Sequence, residues 1–461
     1  RRKMEEKQFK PLKKVQLVSY GLGDMASQFV WTFVGSYLTV FYSDIVGLAP
    51  AAISAIMLIA RIWDAINDPM MGAIAERTHS KWGRFRPYIA FGCPFLALFG
   101  VLTFTAPFGN ERAGVIWAAV TYIIAGMLYT LVNIPYSSLA GVMTTDANER
   151  NMLNSFRSAG MFVGMLIINF AASNLMLAFS GGAEVANKHG YLMAAVVFST
   201  LSVPLFLIVF KMSREVIPAA PGQNKMTVGS VIKNLVTNKY LMLISLIMVF
   251  QMTGYMGRIA VTAFYVIYDM GSFTLIAMIM VIPSLAGIVG SLLTPVVSKA
   301  IGKKRTLMIG MLLEGVGLLI VFFSPYTSLG SIVAGHIIYG IGGVATPVML
   351  SMVADSVDYF DLKHGVRTDG TAYATYGLAS KLGNAIGGAV GVLLLAAFGY
   401  VANAQQTVQA QNGINIVVNL LPAILFFVGM IIACFWDMSD KDSDEIREKL
   451  TERNEKAEEE K

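Results

Sequence analysis

The chain has 461 residues, 55% hydrophobic and 14% charged, with a formal net charge of +6 and a mean hydropathy of +0.62. That is far too apolar for a soluble globular chain and describes a polytopic membrane protein. The basic residues lie in short segments beside apolar runs and form no continuous stripe, so they read as topology determinants and exclude a nucleic-acid partner.

In chain order, the opening RRKMEEKQFKPLKK is hydrophilic and has no signal-peptide apolar region, so the first span is expected to stay as an anchor. Apolar runs follow near 16–43, 47–75, 87–107, 113–143, 152–180 and 191–211, then near 239–267, 273–299, 305–324, 329–356, 371–400 and 413–436. Each is long enough to cross ~30 Å of hydrocarbon. Twelve spans are expected.

Charge in the connections alternates. One set carries Lys10, Lys13 and Lys14, then Arg77, Lys81, Arg84 and Arg86, then Arg150, then Lys211 to Lys239, then Lys299 to Arg305, then Lys363 and Arg367. The other set holds Arg112 and Lys188. Positive residues mark the cytoplasmic side, so both termini are expected there, in a plasma (inner) membrane. Residues 1–212 are read as an N-terminal six-helix bundle, 213–238 as a central cytoplasmic loop with an amphipathic helix near 226–235, and 239–436 as a C-terminal six-helix bundle. The tail, 437–461, is read as a solvated helix or disordered end without chemistry.

The halves echo each other. Asp146 follows Pro135 by eleven residues in NIPYSSLAGVMTTD, as Asp358 follows Pro347 in ATPVMLSMVADSVD. Arg150 precedes Gly160 by ten, as Arg367 precedes Gly377, and FYSDIVG is repeated loosely by FYVIYDMG. Three echoes in matching order point to a duplicated six-helix unit.

Two cysteines, Cys93 and Cys434, lie at opposite ends of the chain, and His79, His189, His336 and His364 are scattered. Neither a disulfide framework nor a structural metal site follows from that spacing. The informative stretch is ARIWDAINDPMMG, in which Arg61, Asp64 and Asp68 fall within ~60° of one another on a helix. An ionised residue at mid-bilayer costs ~2.5 to 3.5 kcal/mol, so three on one face imply a shared task. Asn67 adds a neutral carbonyl oxygen beside them, and hard monovalent cations prefer oxygen ligands. Glu314 and His336 are further intramembrane polar residues, expected to pair with each other.

ARIWDAINDPMMG, the loop RTHSKWGRFRPYI, YTLVNIPYSSL, VADSVDY and SKLGNAIGG together resemble the glycoside-pentoside-hexuronide:cation symporter family, typified by the melibiose carriers. The resemblance spans nearly the whole chain in order. It implies an all-α membrane protein of the major facilitator fold, with 12 transmembrane helices in two six-helix bundles. It also implies a secondary active transporter that imports a small-molecule sugar, coupled to Na⁺ or H⁺ by alternating access, with no cofactor.

Carried over by position, the resemblance assigns the cation site to Asp64, Asp68, Asn67 and Thr130, and places Lys381 as their counter-charge when the cation is absent. Where the galactoside carriers use aspartates for sugar hydroxyls, this chain has Gln28 and Asn133, amides that donate and accept. Asp24 lies one turn before Gln28, Arg157 matches the family's sugar-contacting arginine, and Arg258 adds a cation, so the sugar site is read as more positive. An acidic or neutral glycoside, such as a hexuronide, is expected in preference to a plain galactoside. Tyr373 and Tyr376, near Lys381, are candidates for stacking on the sugar.

Arg77, Arg84, Asp146, Arg150, Asp355, Asp358 and Arg367 lie at the expected cytoplasmic face, where charge pairs can close a gate. Two other readings are a Na⁺-coupled carrier of an amphiphile such as a lysolipid, betrayed by a lateral apolar groove, and a transporter-like sensor. No nucleophile–base pair supports an enzyme.

Overall fold

The computed structural model describes residues 11–144, 147–182, 184–216, 236–365 and 368–459. It is all-helical, with no strand among those residues. The helices are α1 (Lys14–Val40), α2 (Pro50–Arg77), α3 (Arg86–Leu102), α4 (Glu111–Met143), α5 (Ala147–Ala178) and α6 (Lys188–Met212). They continue with α7 (Lys239–Phe264), α8 (Leu275–Ile301), α9 (Lys303–Phe323), α10 (Leu329–His364), α11 (Asp369–Ala397), α12 (Val408–Cys434) and α13 (Asp440–Glu459). The expected surface helix near 226–235 lies outside the described residues.

Among the described residues, ten helices are long and apolar enough to cross a bilayer. The two expected spans outside that group, α1 and α3, are helical but fall short of it for identifiable reasons. The inner face of α1 carries Asp24, Ser27 and Gln28, which dilute its apolar character, and α3 is 17 residues long.

The chain divides into two compact units. The first comprises Arg1–Gln223 with Gly271–Val281 and Val401–Gln405; the second comprises Asn224–Met270, Ile282–Tyr400 and Gln406–Lys461. In the first unit α1 packs on α5 and α6, and α3 on α4 and α6. In the second, α7 packs on α11 and α12, and α9 on α10 and α12. The pairing order is therefore the same in both, as a duplicated unit requires.

The repeated seams are built alike. A Cβ on Gly160 of α5 would overlap the Gly21 carbonyl of α1, and a Cβ on Gly387 of α11 would meet the Thr253 carbonyl and the Gly257 nitrogen of α7. Small residues let these backbones approach closely, which replaces the hydrophobic drive that lipid cannot supply. The first helix of each unit also ends in a π turn, Phe41–Ile45 after α1 and Tyr265–Asp269 after α7. In these turns Val46 N–H donates to the Phe41 carbonyl at 3.0 Å, and Met270 N–H to the Tyr265 carbonyl at 3.1 Å. They coincide with the FYSDIVG and FYVIYDMG echo. A third π turn, Ile416–Leu420, interrupts α12.

The tail forms α13, the helical one of the two forms expected, and it docks on α10. Its first residue, Asp440, accepts from the Lys303 backbone N–H at 3.1 Å. Arg447 reaches Asp355 at 2.5 Å and Asp358 at 3.4 Å, and Arg453 reaches Asp361 at 2.7 Å. Tail residues at 447 and 453 thus address acids one turn apart on α10, a pattern invisible until the partner helix is known.

Candidate transport site

In the first unit, three helices bring polar faces together. Asp24, Ser27, Gln28 and Trp31 recur at i, i+3, i+4 and i+7 on α1, and Gly126, Thr130, Asn133 and Ser137 at i, i+4, i+7 and i+11 on α4. The α2 face supplies Arg61, Asp64 and Asp68.

On the α2 side, Thr130 Oγ1 donates to Asp68 Oδ1 at 2.8 Å. Arg61 Nη1 lies 3.4 Å from Asp64 Oδ2 and its guanidinium sits over the Trp31 ring at 5.2 Å. Trp31 stacks on Tyr129 with centroids 4.5 Å apart. Gly126 leaves room for Asp64, because a Cβ there would sit 3.0 Å from Asp64 Oδ1. Asn67 is buried, and its Nδ2 meets no acceptor among the described residues.

On the α1 side, Arg157 Nε donates to Asp24 Oδ2 at 2.6 Å, and the guanidinium lies 5.5 Å from the Tyr136 ring centre. That ring is fixed by reciprocal bonds: Tyr136 OH donates to the Tyr20 carbonyl at 2.7 Å, and Tyr20 OH to the Tyr136 carbonyl at 3.0 Å. Asn133 Nδ2 donates to Ser27 Oγ at 3.2 Å, and Thr32 Oγ1 donates to Gln28 Oε1 at 2.5 Å. Asp24, Gln28, Asn133 and Arg157 therefore share one polar stripe with Asp64, Asp68 and Thr130. Thr130 and Asn133 stand one turn apart on α4. Trp31, Ser27 and Gly126 are members of the stripe that the sequence alone did not single out. The heptad-like spacing from Asp24 to Trp31 was the available signal.

The second unit holds the other expected residues. Lys381 is half-buried on α11, and Tyr373 on the same helix is exposed. Tyr376 is buried in an apolar cluster with Leu241, Ile244 and Met352, so its ring packs the core, contrary to the stacking role expected for it. Arg258 contacts His336 at 2.6 Å, and Gln251 contacts Glu314 at 3.2 Å. The expected Glu314–His336 pair is thus replaced by two separate pairs, because α7 contributes a partner to each.

At the ends of the helices, Arg77 closes α2 and is exposed. The Arg84 backbone N–H donates to Glu215 at 2.8 Å, and the same carboxylate accepts from Phe85 and Arg86 N–H, capping the N-terminus of α3. Asp355 accepts from Lys303 Nζ at 2.6 Å. Asp146 and Arg367 lie outside the described residues, and Arg150 stands in the first turn of α5.

The fold and the charged stripe define a membrane transporter of the major facilitator class, not an enzyme. The description MFS/sugar transport protein matches residues 19–440, and the chain belongs to that family. It is 34% identical to an isoprimeverose transporter of Lactiplantibacillus pentosus, over 91% of this chain and 87% of that one. It is 31% identical to a glucuronide carrier protein homolog of Escherichia coli (strain K12), over 93% and 94%. It is also 30% identical to a putative glycoside/cation symporter of the same organism, over 94% of each chain. Among solved structures, a D-xylose-proton symporter superposes with a TM-score of 0.64 at 16% identity, covering 92% of this chain and 97% of that one. A nucleoside transporter superposes with a TM-score of 0.63 at 15% identity, over 91% and 99%. At such identities these two speak for the fold alone.

Proposed function

We propose that this protein is an inner-membrane symporter, with both termini cytoplasmic, that imports a glycoside together with Na⁺. The observation that carries the reading is the 2.8 Å bond from Thr130 to Asp68, one turn along α4 from Asn133 in the amide-lined part of the stripe. Arg61 lies against Asp64, which leaves about one negative charge on the α2 face, the complement of a monovalent cation. The Asn67 amide supports the same reading. Turned about its last torsion, it presents oxygen where its nitrogen now has no acceptor, and a cation satisfies that oxygen. Cation binding at Asp64 and Asp68 then bears on the sugar residues through Trp31 and α4. Each ligand raises the affinity for the other by the same factor.

The similarity to an isoprimeverose transporter and a glucuronide carrier homolog supports a glycoside. Because Arg157 is matched by Asp24 at 2.6 Å, the sugar side of the stripe is close to neutral, which favours a neutral glycoside over the hexuronide expected from side-chain types. The test is counterflow in proteoliposomes with isoprimeverose and methyl β-glucuronide, with and without Na⁺. Na⁺-stimulated exchange of the neutral sugar, with stimulation lost in Asp68→Cys, is the expected result. Unchanged Na⁺ dependence in that variant overturns the cation site, and exchange confined to the glucuronide overturns the neutral lining.

A second reading rests on a hollow of about 380 Å³ between α2 and α4, lined by Ile59, Ile62, Trp63, Ile123 and Met127. Its wholly apolar wall suits an acyl chain. Competition of isoprimeverose counterflow by a lysolipid below its micellar concentration would favour an amphiphile as cargo.

A further inference from the structure

Away from the polar stripe, the second unit encloses an ionisable cluster in which Arg258, expected above as a cation of the sugar site, is held among residues that have no task assigned. Gln251, Tyr255 and Arg258 line one face of α7 at i, i+4 and i+7. Glu314 reaches them from α9, and His336 and Tyr339 from α10. Arg258 is 5% exposed, Glu314 7%, Gln251 2% and His336 0%. Ionisable residues at such depth in a membrane protein are costly and mark function by default.

The hydrogen bonds fix most of the protons. His336 Nδ1 lies 2.7 Å from the Ile332 carbonyl, which can only accept, so Nδ1 carries hydrogen. Its Nε2, 2.6 Å from Arg258 Nη2, then accepts from the guanidinium. His336 is therefore a neutral imidazole that orients Arg258, and the Tyr339 ring supports the guanidinium at 4.9 Å. Among the described residues, no carboxylate lies within 4.0 Å of Arg258 and no cationic nitrogen within 4.0 Å of Glu314. The partner of Glu314 is Gln251, whose Nε2 stands 3.2 and 3.4 Å from its two oxygens. Gln251 Oε1 and Arg258 Nε are buried with no partner among the described residues.

A glutamine is a neutral side chain that can serve both forms of a carboxyl. Toward a carboxylate it donates N–H, and its oxygen is left over, as it is here. Toward a carboxylic acid the amide turns by half a rotation, and its oxygen accepts the acid's O–H. The orphaned Oε1 of Gln251 is thus the feature that protonation of Glu314 removes. Charge follows the same logic. With Glu314 ionised, Arg258 and Glu314 balance across the Tyr255 and Tyr339 rings; with Glu314 protonated, the cluster carries +1. The α12 helix, which also packs on α9, contributes no Asp, Glu, Lys, Arg or His between Val408 and Cys434. Proton gain at Glu314 is therefore felt chiefly by Arg258.

The geometry points to Glu314 as a proton-binding site of the second unit, separate from the cation residues of α2, with Gln251 as the positioning residue that fits both protonation states. One proton from water adds to a Glu314 oxygen, the Gln251 amide turns to accept from it, and the Arg258–His336 pair loses its counter-charge. The test is infrared difference spectroscopy of the full-length protein in Na⁺-free liposomes as the pH is stepped down. Wild type gains a carboxylic-acid C=O band together with an amide C=O change.

Loss of that carboxylic-acid band in Glu314→Gln, its displacement in Glu314→Asp, and loss of the amide change alone in Gln251→Leu are the expected results. Arg258→Gln shifts the pH at which the band appears, while Asp68→Asn leaves that band in place. If Glu314→Gln does not assemble, Glu314→Asp decides alone. A band unchanged in position and pH dependence in the glutamate variants, or no titrating acid band in wild type, overturns the proposal.

Discussion

The Asp24–Arg157 pair lends itself to a double-mutant cycle. The ion pair spans 2.6 Å, with side-chain exposures of 9% for Asp24 and 31% for Arg157. Removing one partner of a fully buried pair costs about 3 to 5 kcal/mol, whereas exposed pairs are worth about 0 to 1 kcal/mol. One buried and one partly wet partner place each single substitution near 2 kcal/mol, with a coupling of about 1.5 kcal/mol, in line with the upper range for polar contacts between membrane helices. The exposures also set an asymmetry. Arg157→Gln strands a carboxylate in the interior, while Asp24→Asn strands a guanidinium that still reaches solvent, so the arginine substitution is the costlier. Asp24→Asn/Arg157→Gln recovers most of the loss, because amide faces amide. The assay is reversible unfolding in lipid–detergent micelles with increasing SDS, measured for wild type, both single variants and the double. A coupling below about 0.5 kcal/mol, the scale on which independent sites add, or a costlier Asp24→Asn, would refute this account.

Four further outcomes are expected. Thr130→Val removes a hydrogen bond to a carboxylate worth about 1.5 to 3 kcal/mol and should raise the Na⁺ concentration for half-maximal glycoside counterflow by about tenfold, the equivalent of ~1.4 kcal/mol. Gly160→Leu forces α1 from α5 and should lower the melting temperature in detergent, losing about 1 to 3 kcal/mol; Gly35→Ala, whose Cβ meets nothing within 4 Å, serves as the silent control. Arg447→Ala with Arg453→Ala unfastens α13 from α10. Since both arginines are nearly half exposed, the pair is worth about 1 kcal/mol, and hydrogen exchange of α13 should quicken roughly fivefold. Asp437 is held below its ordinary range by hydrogen bonds from Lys239 and Tyr240, so its tie to the start of α7 is complete above about pH 4 and lost as the pH falls through its lowered value. Hydrogen exchange near Lys239 should rise there in wild type and show no such step in Asp437→Asn.

The apolar runs were legible because they are one-dimensional: hydrocarbon thickness sets span length. The duplicated unit was visible in the proline–aspartate and FYSDIVG echoes, and the packing order of α1–α6 repeats in α7–α12. Individual partnerships were not legible. Arg157 lies 133 residues from Asp24, and which helix face meets it depends on the glycine-set closeness of α1 and α5. His336 and Glu314 were expected to pair with each other, but each found its partner on α7, whose Arg258 and Gln251 point to different neighbours. Trp31 was hidden among many span aromatics, and only its stacking between Arg61 and Tyr129 separates it from packing residues. Tyr376 erred the other way: proximity in sequence to Lys381 does not place it on the same side of α11.

The π turns carry a history. An i→i+5 bond accommodates one residue more than a regular α turn, so such a turn behaves like a single-residue insertion that the helix absorbs. The insertions at Phe41–Ile45 and Tyr265–Asp269 occupy corresponding places in the two halves. The simplest descent has that extra residue already present in the ancestral six-helix gene before it doubled. The turn at Ile416–Leu420 has no counterpart in α6, which is α-helical from Lys188 to Met212, so at this pair of helices the two halves have drifted apart by gain or by loss of one residue.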